Sequence, residues 1–207
     1  MSALGAYLHR SEPQIMAHHK ILHYCLMILS ECAFVVLICW GIHKKGIRLK
    51  QLIGDKRIKV KSLLRDIGLA IGFLLASWLV LSVIAFFLKP GRSTNLSRIL
   101  PHTVGELIVF SLVAVSAGVA EEIVFRGYLQ AQFASLLQSK ALGLIVQGIV
   151  FGAAHGYQGT RHMIILGVFG GLFGLLAVWR RSLQPAMIAH TLHDELGGVV
   201  ALFLVHH

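Results

Sequence analysis

The fold class predicted for this 207-residue chain is an all-α, polytopic transmembrane helix bundle of about six spans. Three observations predict it. Apolar residues make up 56% of the chain and charged residues only 14%, with a mean hydropathy of +0.75, a balance foreign to soluble domains. The apolar residues gather into runs, most of them long enough to cross a hydrocarbon layer of roughly 30 Å, and polar or proline-bearing breaks separate the runs. Nine of the 19 Lys and Arg fall within residues 44–65. The formal charge of +10 would suggest nucleic acid in a soluble chain. Here the positive-inside rule and anionic headgroups give a sufficient reason for it, and no nucleic-acid partner is expected.

Taken in order, residues 1–20 read as a mixed polar N-terminal tail without a removable signal peptide. The first span covers 21–42 and carries Glu31 near its middle; an intramembrane Glu is a functional candidate or a neutral packing residue. Cys25, Cys32 and Cys39 recur every seven residues, about 10 Å apart along a helix, too far for a disulfide or a shared metal. A basic loop at 43–66 leads to a second span at 67–88, and together these make an accessory pair, residues 21–88. A linker at 89–105, with a turn at Lys89-Pro90-Gly91-Arg92 and a break at Pro101, is the best internal boundary.

The remaining chain, 106–205, reads as a compact four-helix core. Its third span runs from Glu106 to about Leu129, after which Leu129, Phe133, Leu136 and Leu137 predict an amphipathic, interfacial helix end. The fourth apolar segment, 141–155, is short. The fifth, 162–179, ends against Arg180 and Arg181, and the sixth starts at Pro185, a good first-turn residue. Gly148, Gly152 and Gly156 lie four apart, as do Gly167 with Gly171 and Gly170 with Gly174, which lets helix backbones approach closely. With the basic loop in the cytoplasm, 12 Lys and Arg lie inside and six outside. The expected location is a plasma membrane, the prokaryotic cytoplasmic membrane.

The polar residues of the core recur in three places: Glu121, Glu122 and Arg126; His155; and His190 to Glu195. A charge at the bilayer centre costs roughly 3 kcal/mol or more, so such residues need partners or a task. Glu122 and Arg126, four apart, share a helix face and can pair, which leaves Glu121 turned about 100° away. If the chain turns near 138–140, Glu121 and His155 come to one depth, 17 residues on either side of position 138. His190 and Asp194 also share a face, with His193 beside them. A straight-helix reading leaves one conflict: His190 lies roughly 8 Å and His155 roughly 22 Å from the same membrane face. The conflict eases if residues 182–185 dip inward, or if Ala141 starts below the interface.

A carboxylate and an imidazole around one point can activate water, the carboxylate taking and returning a proton. His190 and Asp194 opposite could stabilise an oxyanion. The same side chains could instead ligate a divalent metal such as zinc, and the residues alone do not separate the two readings. No cofactor is otherwise expected.

Glu121-Glu122-x-x-x-Arg126, Phe151-x-x-x-His155 and His190-x-x-x-Asp194, in that order and in apolar segments, resemble the CPBP family. These are the CAAX-protease and bacteriocin-processing membrane endopeptidases, also called the ABI family. The resemblance spans roughly residues 104–205 and implies peptide-bond hydrolysis within the membrane, on membrane-associated or lipidated protein and peptide substrates. By it, Glu121 and His155 activate the water, Glu122 and Arg126 hold the geometry, and His190 with residue 194 forms the oxyanion hole. Asp194 departs from the Asn of the eukaryotic enzymes, and an ionised Asp cannot donate a hydrogen bond. The rival readings are a metal-dependent protease on the same residues and a non-catalytic immunity or scaffold protein.

Overall fold

A computed structural model describes residues 3–54, 60–88 and 99–205, with side chains from Lys20 onward. The turn at 89–92 and the terminal His206 and His207 lie outside the described residues. Helix α1 (Ala3–His43) is already under way in the stretch read as a polar tail. A short α2 (Leu49–Ile53) sits within the basic loop, and α3 is Val60–Phe87. The core follows as α4 (Val104–Glu121), a π-helical segment (Glu122–Leu129), α5 (Gln130–Leu136), α6 (Lys140–Ala154), a tight 3₁₀ turn (Gly156–Gln158), α7 (Thr160–Arg180) and α8 (Gln184–Val205). The described residues contain no strand.

Local chemistry sets these boundaries. The Thr103 hydroxyl accepts from the Glu106 amide and starts α4, and Ser139 does the same for α6 through Leu142. Gln138 and Arg181 take left-handed backbone angles where α5 and α7 end. Four stretches are long and apolar enough to cross a membrane: 20–43, 60–87, 104–136 and 160–180. Helix α6, at 15 residues, is shorter. Helix α8 is 22 residues long but carries His190, His193, Asp194 and Glu195 around its middle. The protein is a multi-pass helical membrane bundle.

Its centre is apolar and drawn from four helices. Ala70, Leu74 and Leu81 of α3 meet Phe151 of α6, Phe169, Phe173 and Leu176 of α7, and Ala186 and Ala189 of α8. Helix α3, read as accessory, thus contributes to the main core. Helix α1 packs chiefly on α4, through Tyr24 against Phe110, Val113 and Ala114. The outer faces are lined by large exposed apolar residues such as Leu29, Trp40, Leu79, Phe86 and Phe203. In a membrane that surface meets lipid.

Small residues bring the core backbones together. A Cβ on Gly152 would lie 2.4 Å from the Met163 carbonyl oxygen, and one on Gly148 would lie 2.9 Å from that of Gly167, so α6 and α7 touch backbone to backbone. A Cβ on Gly118 would lie 2.8 Å from the Thr191 amide, which brings α4 equally close to α8. The start of α8 lies inside the fold. Ser182, Leu183 and Pro185 are buried, and the Leu183 amide donates to the Ile53 carbonyl of α2 at 2.8 Å. The chain enters α8 beneath α2, inside the fold, while Lys140 and Ala141 are exposed.

Candidate active site

The π-helical segment carries Glu122 and Arg126. Its last turn is bonded over five residues, the Gln130 amide donating to the Phe125 carbonyl. Such segments are uncommon and occur often at functional sites. Arg126 Nη1 donates to Glu122 Oε1 at 2.8 Å, both side chains wholly buried. The pairing expected from the four-residue spacing is therefore present. Glu122 has a second partner that the spacing did not suggest: His190 Nδ1 lies 2.9 Å from the same Oε1. A chain of charge, Arg126–Glu122–His190, joins the π-helical segment to α8.

Aromatic rings and polar backbone surround this chain. The guanidinium of Arg126 stacks 4.2 Å from the Phe151 ring and 5.3 Å from Phe173, and its Nη2 reaches the Gly170 carbonyl at 3.4 Å. Gln147 Nε2 donates to that same carbonyl at 2.7 Å, and Gln130 Nε2 to Gly174 at 3.4 Å. A Cβ on Gly174 would strike both amides, which explains its glycine. Gln130, read as part of an interfacial helix end, is buried in this layer instead, whereas Leu136 and Leu137 beyond it are exposed.

Glu121 is left as the spacing argument predicts. Its Oε2 is buried, has no hydrogen-bond partner, and lies 3.7 Å from His190 Nε2. The same nitrogen lies 3.8 Å from Asp194 Oδ2, so His190 faces three carboxylates through two nitrogens. The expected direct pairing of Glu121 with His155 is not among the contacts of the described residues. His155 sits at the end of α6, where its Nδ1 bonds the Phe151 carbonyl at 2.9 Å. A carbonyl only accepts, so Nδ1 carries the proton and a neutral His155 presents Nε2 as an acceptor. The Phe151 ring separates the two histidines, 4.6 Å from His155 and 6.2 Å from His190 between centroids.

Four neighbours were not singled out as site residues. The His193 ring stacks on Phe169 and accepts from Trp78 Nε1 at 3.0 Å, a structural role that ties α8 to α3. Ser111 holds Glu195 at 2.9 Å. Ser116 of α4 hydrogen-bonds Glu31 of α1. Tyr157, two residues past His155 on the 3₁₀ turn, has its ring 6.1 Å from His155 and lies within electrostatic reach of Glu121 and Asp194. An aromatic so close to the histidine of the second motif was the signal that could have found it. Among the described residues no three His, Cys, Asp or Glu side chains are grouped as metal ligands would be.

Fold and site together define a polytopic membrane protein with a buried carboxylate–histidine centre. Residues 103–196 match the family described as type II CAAX prenyl endopeptidase Rce1-like, so that stretch of the chain is similar to the CAAX-type intramembrane proteases. No curated protein and no solved structure matches the chain. All six candidate residues, and Tyr157, fall within the matched stretch; Glu31 falls outside it.

Proposed function

We propose that the chain is an intramembrane endopeptidase of the glutamic type, hydrolysing peptide bonds of membrane-associated or lipidated substrates in a prokaryotic cytoplasmic membrane. The observation that carries this reading is Glu121: a buried carboxylate oxygen without a hydrogen-bond partner, beside a histidine already held in place by another carboxylate. A buried carboxylate oxygen without a protein partner is suited to bind a water. Glu121 takes a proton from that water as its oxygen attacks the scissile carbonyl carbon. His155 Nε2 orients the water as acceptor. The carbonyl electron pair moves to oxygen, and His190, as an imidazolium, donates Nε2–H to the resulting oxyanion. Collapse breaks the C–N bond, and the amine leaves with the proton that Glu121 had taken. Glu122 and Arg126 hold His190 and the helix crossing in register.

Hydrolysis needs no cofactor in this scheme. The rival metal-dependent protease would use the same residues, and the rival immunity or scaffold protein would leave them idle. One experiment separates all three. The purified parent, Glu121→Gln and His155→Ala are assayed on a membrane-peptide library, with and without a strong chelator, and their metal content is measured. Cleavage by the parent alone, unaffected by the chelator, is the expected result. Equal cleavage by all three proteins would sink the mechanism, and loss on chelation would transfer it to a metal.

A further inference from the structure

Asp194 leaves the proposed oxyanion site short of a donor. As a carboxylate it only accepts, and it lies against His190 Nε2 rather than free of it. An oxyanion hole built on His190 alone would have one hydrogen bond where acyl-transfer sites commonly use two.

We propose that Tyr157 supplies the second donor, its phenol O–H and His190 Nε2–H together binding the oxyanion. The proposal rests on the endopeptidase reading above. Tyr157 sits on the turn Gly156–Gln158, directly after the helix that delivers Phe151 and His155, so its ring is carried to the same end of the site. It lies 6.1 Å from the His155 ring, at an interplanar angle of 31°. Gln158 Nε2 donates to the phenol oxygen at 3.0 Å, which turns the hydroxyl into an acceptor on one side and leaves its own proton without an acceptor among the described residues. The residue is half-exposed, so its hydroxyl can be reached from outside the fold.

Burial raises the phenol's pKa, and the negative charges of Glu121 and Asp194 raise it further, outweighing the Gln158 hydrogen bond. The hydroxyl therefore keeps its proton throughout the working range and remains a donor. No proton leaves Tyr157 in the reaction. It hydrogen-bonds the oxygen that gains the carbonyl electron pair, and the bond weakens again when the C–N bond breaks.

The test uses the full chain in detergent and a library peptide that the parent cleaves. Tyr157→Phe removes only the hydroxyl. The expected result is a fall in kcat of about 10²-fold with KM nearly unchanged, the usual loss for one oxyanion donor. Asp194→Asn, placed in the Tyr157→Phe background, supplies an amide donor and should restore at least about tenfold of that loss. A merely structural tyrosine would lower the melting temperature, and Asn at 194 would not rescue it. Unchanged kcat in Tyr157→Phe, or no rescue by Asp194→Asn, overturns the proposal. No cleavage by the parent, or undiminished cleavage by Glu121→Gln, would instead fail the endopeptidase reading itself.

Discussion

Glycine has opposite meanings in the two parts of this molecule. In α3, Gly68 and Gly72 lie four apart, the spacing that signals close helix packing, and neither would meet any atom within 4 Å if it carried a Cβ. In α6, Gly148 and Gly152 have the same spacing, and a Cβ on either would collide with the backbone of α7. Polar groups divide the same way. The region from α4 to α8 buries Glu122, Arg126, Gln130, Gln147 and His190 in a connected layer. Helix α1 is fastened at isolated points: Lys20 to Glu106, Tyr24 to the Ile99 carbonyl, and Glu31 to Ser116. A spacing motif therefore shows that helices could approach, and only the partner helix decides whether they do. The matched stretch, 103–196, coincides with the tightly coupled region.

The strongest way to break this contrast is to remove the charge at the centre of the layer. Glu122→Gln takes the carboxylate from both Arg126 and His190, and a buried ion pair that loses one partner costs about 3–5 kcal/mol. Thermal unfolding in a fixed micelle should show that loss, along with lost activity. An unchanged melting temperature would mean that the layer does not hold the fold together. Next comes backbone contact. Gly152→Ala should cost about 3 kcal/mol, the upper end for overpacking, because the atoms it meets, Met163 O and Gly167 Cα, are main chain and cannot turn aside. Gly72→Ala should gain up to about 1 kcal/mol from helix propensity alone. Equal responses at the two positions would erase the distinction.

Local features were legible in the sequence because local geometry determines them. The apolar runs became helices within a few residues of their expected ends, apart from α1 and α3, which start well upstream. The Glu122–Arg126 pair follows from four-residue spacing. The π-helical segment had no such marker: a change from four- to five-residue bonding is decided by the packing around it, and it turned Gln130 inward from an expected interfacial position. The contact of Glu122 with His190 had no marker in the sequence for a related reason. Asp194 is its neighbour in sequence, but the approach of α4 to α8 at Gly118 and Thr191 brings Glu122 closer, 2.9 Å against 3.8 Å. His155 and Glu121 were matched in depth along the sequence, but no hydrogen bond joins them among the described residues. Depth is a one-dimensional quantity, and the direction in which a side chain faces is not.

The smallest expected effect probes the looser part, at the point where α1 touches the core. Ser116 has two acceptors, the Val113 carbonyl at 3.2 Å and the Glu31 carboxylate, but one proton to give. Removing either partner should therefore have unequal consequences. Glu31→Leu leaves Ser116 bonded to Val113 and places an apolar side chain in a half-buried position between α1 and α4, so its cost should stay within about 0.5 kcal/mol. Ser116→Ala strands a carboxylate in apolar surroundings, within reach of the charges on Glu121, Asp194 and His190, and should cost about 1–2 kcal/mol. In the double variant the carboxylate is gone, and stability should return to that of Glu31→Leu alone. Unfolding midpoints for the four proteins measure this coupling. Additive losses would mean that the two residues act separately. The predicted recovery would mean that the stray carboxylate, more than the missing bond, sets the cost.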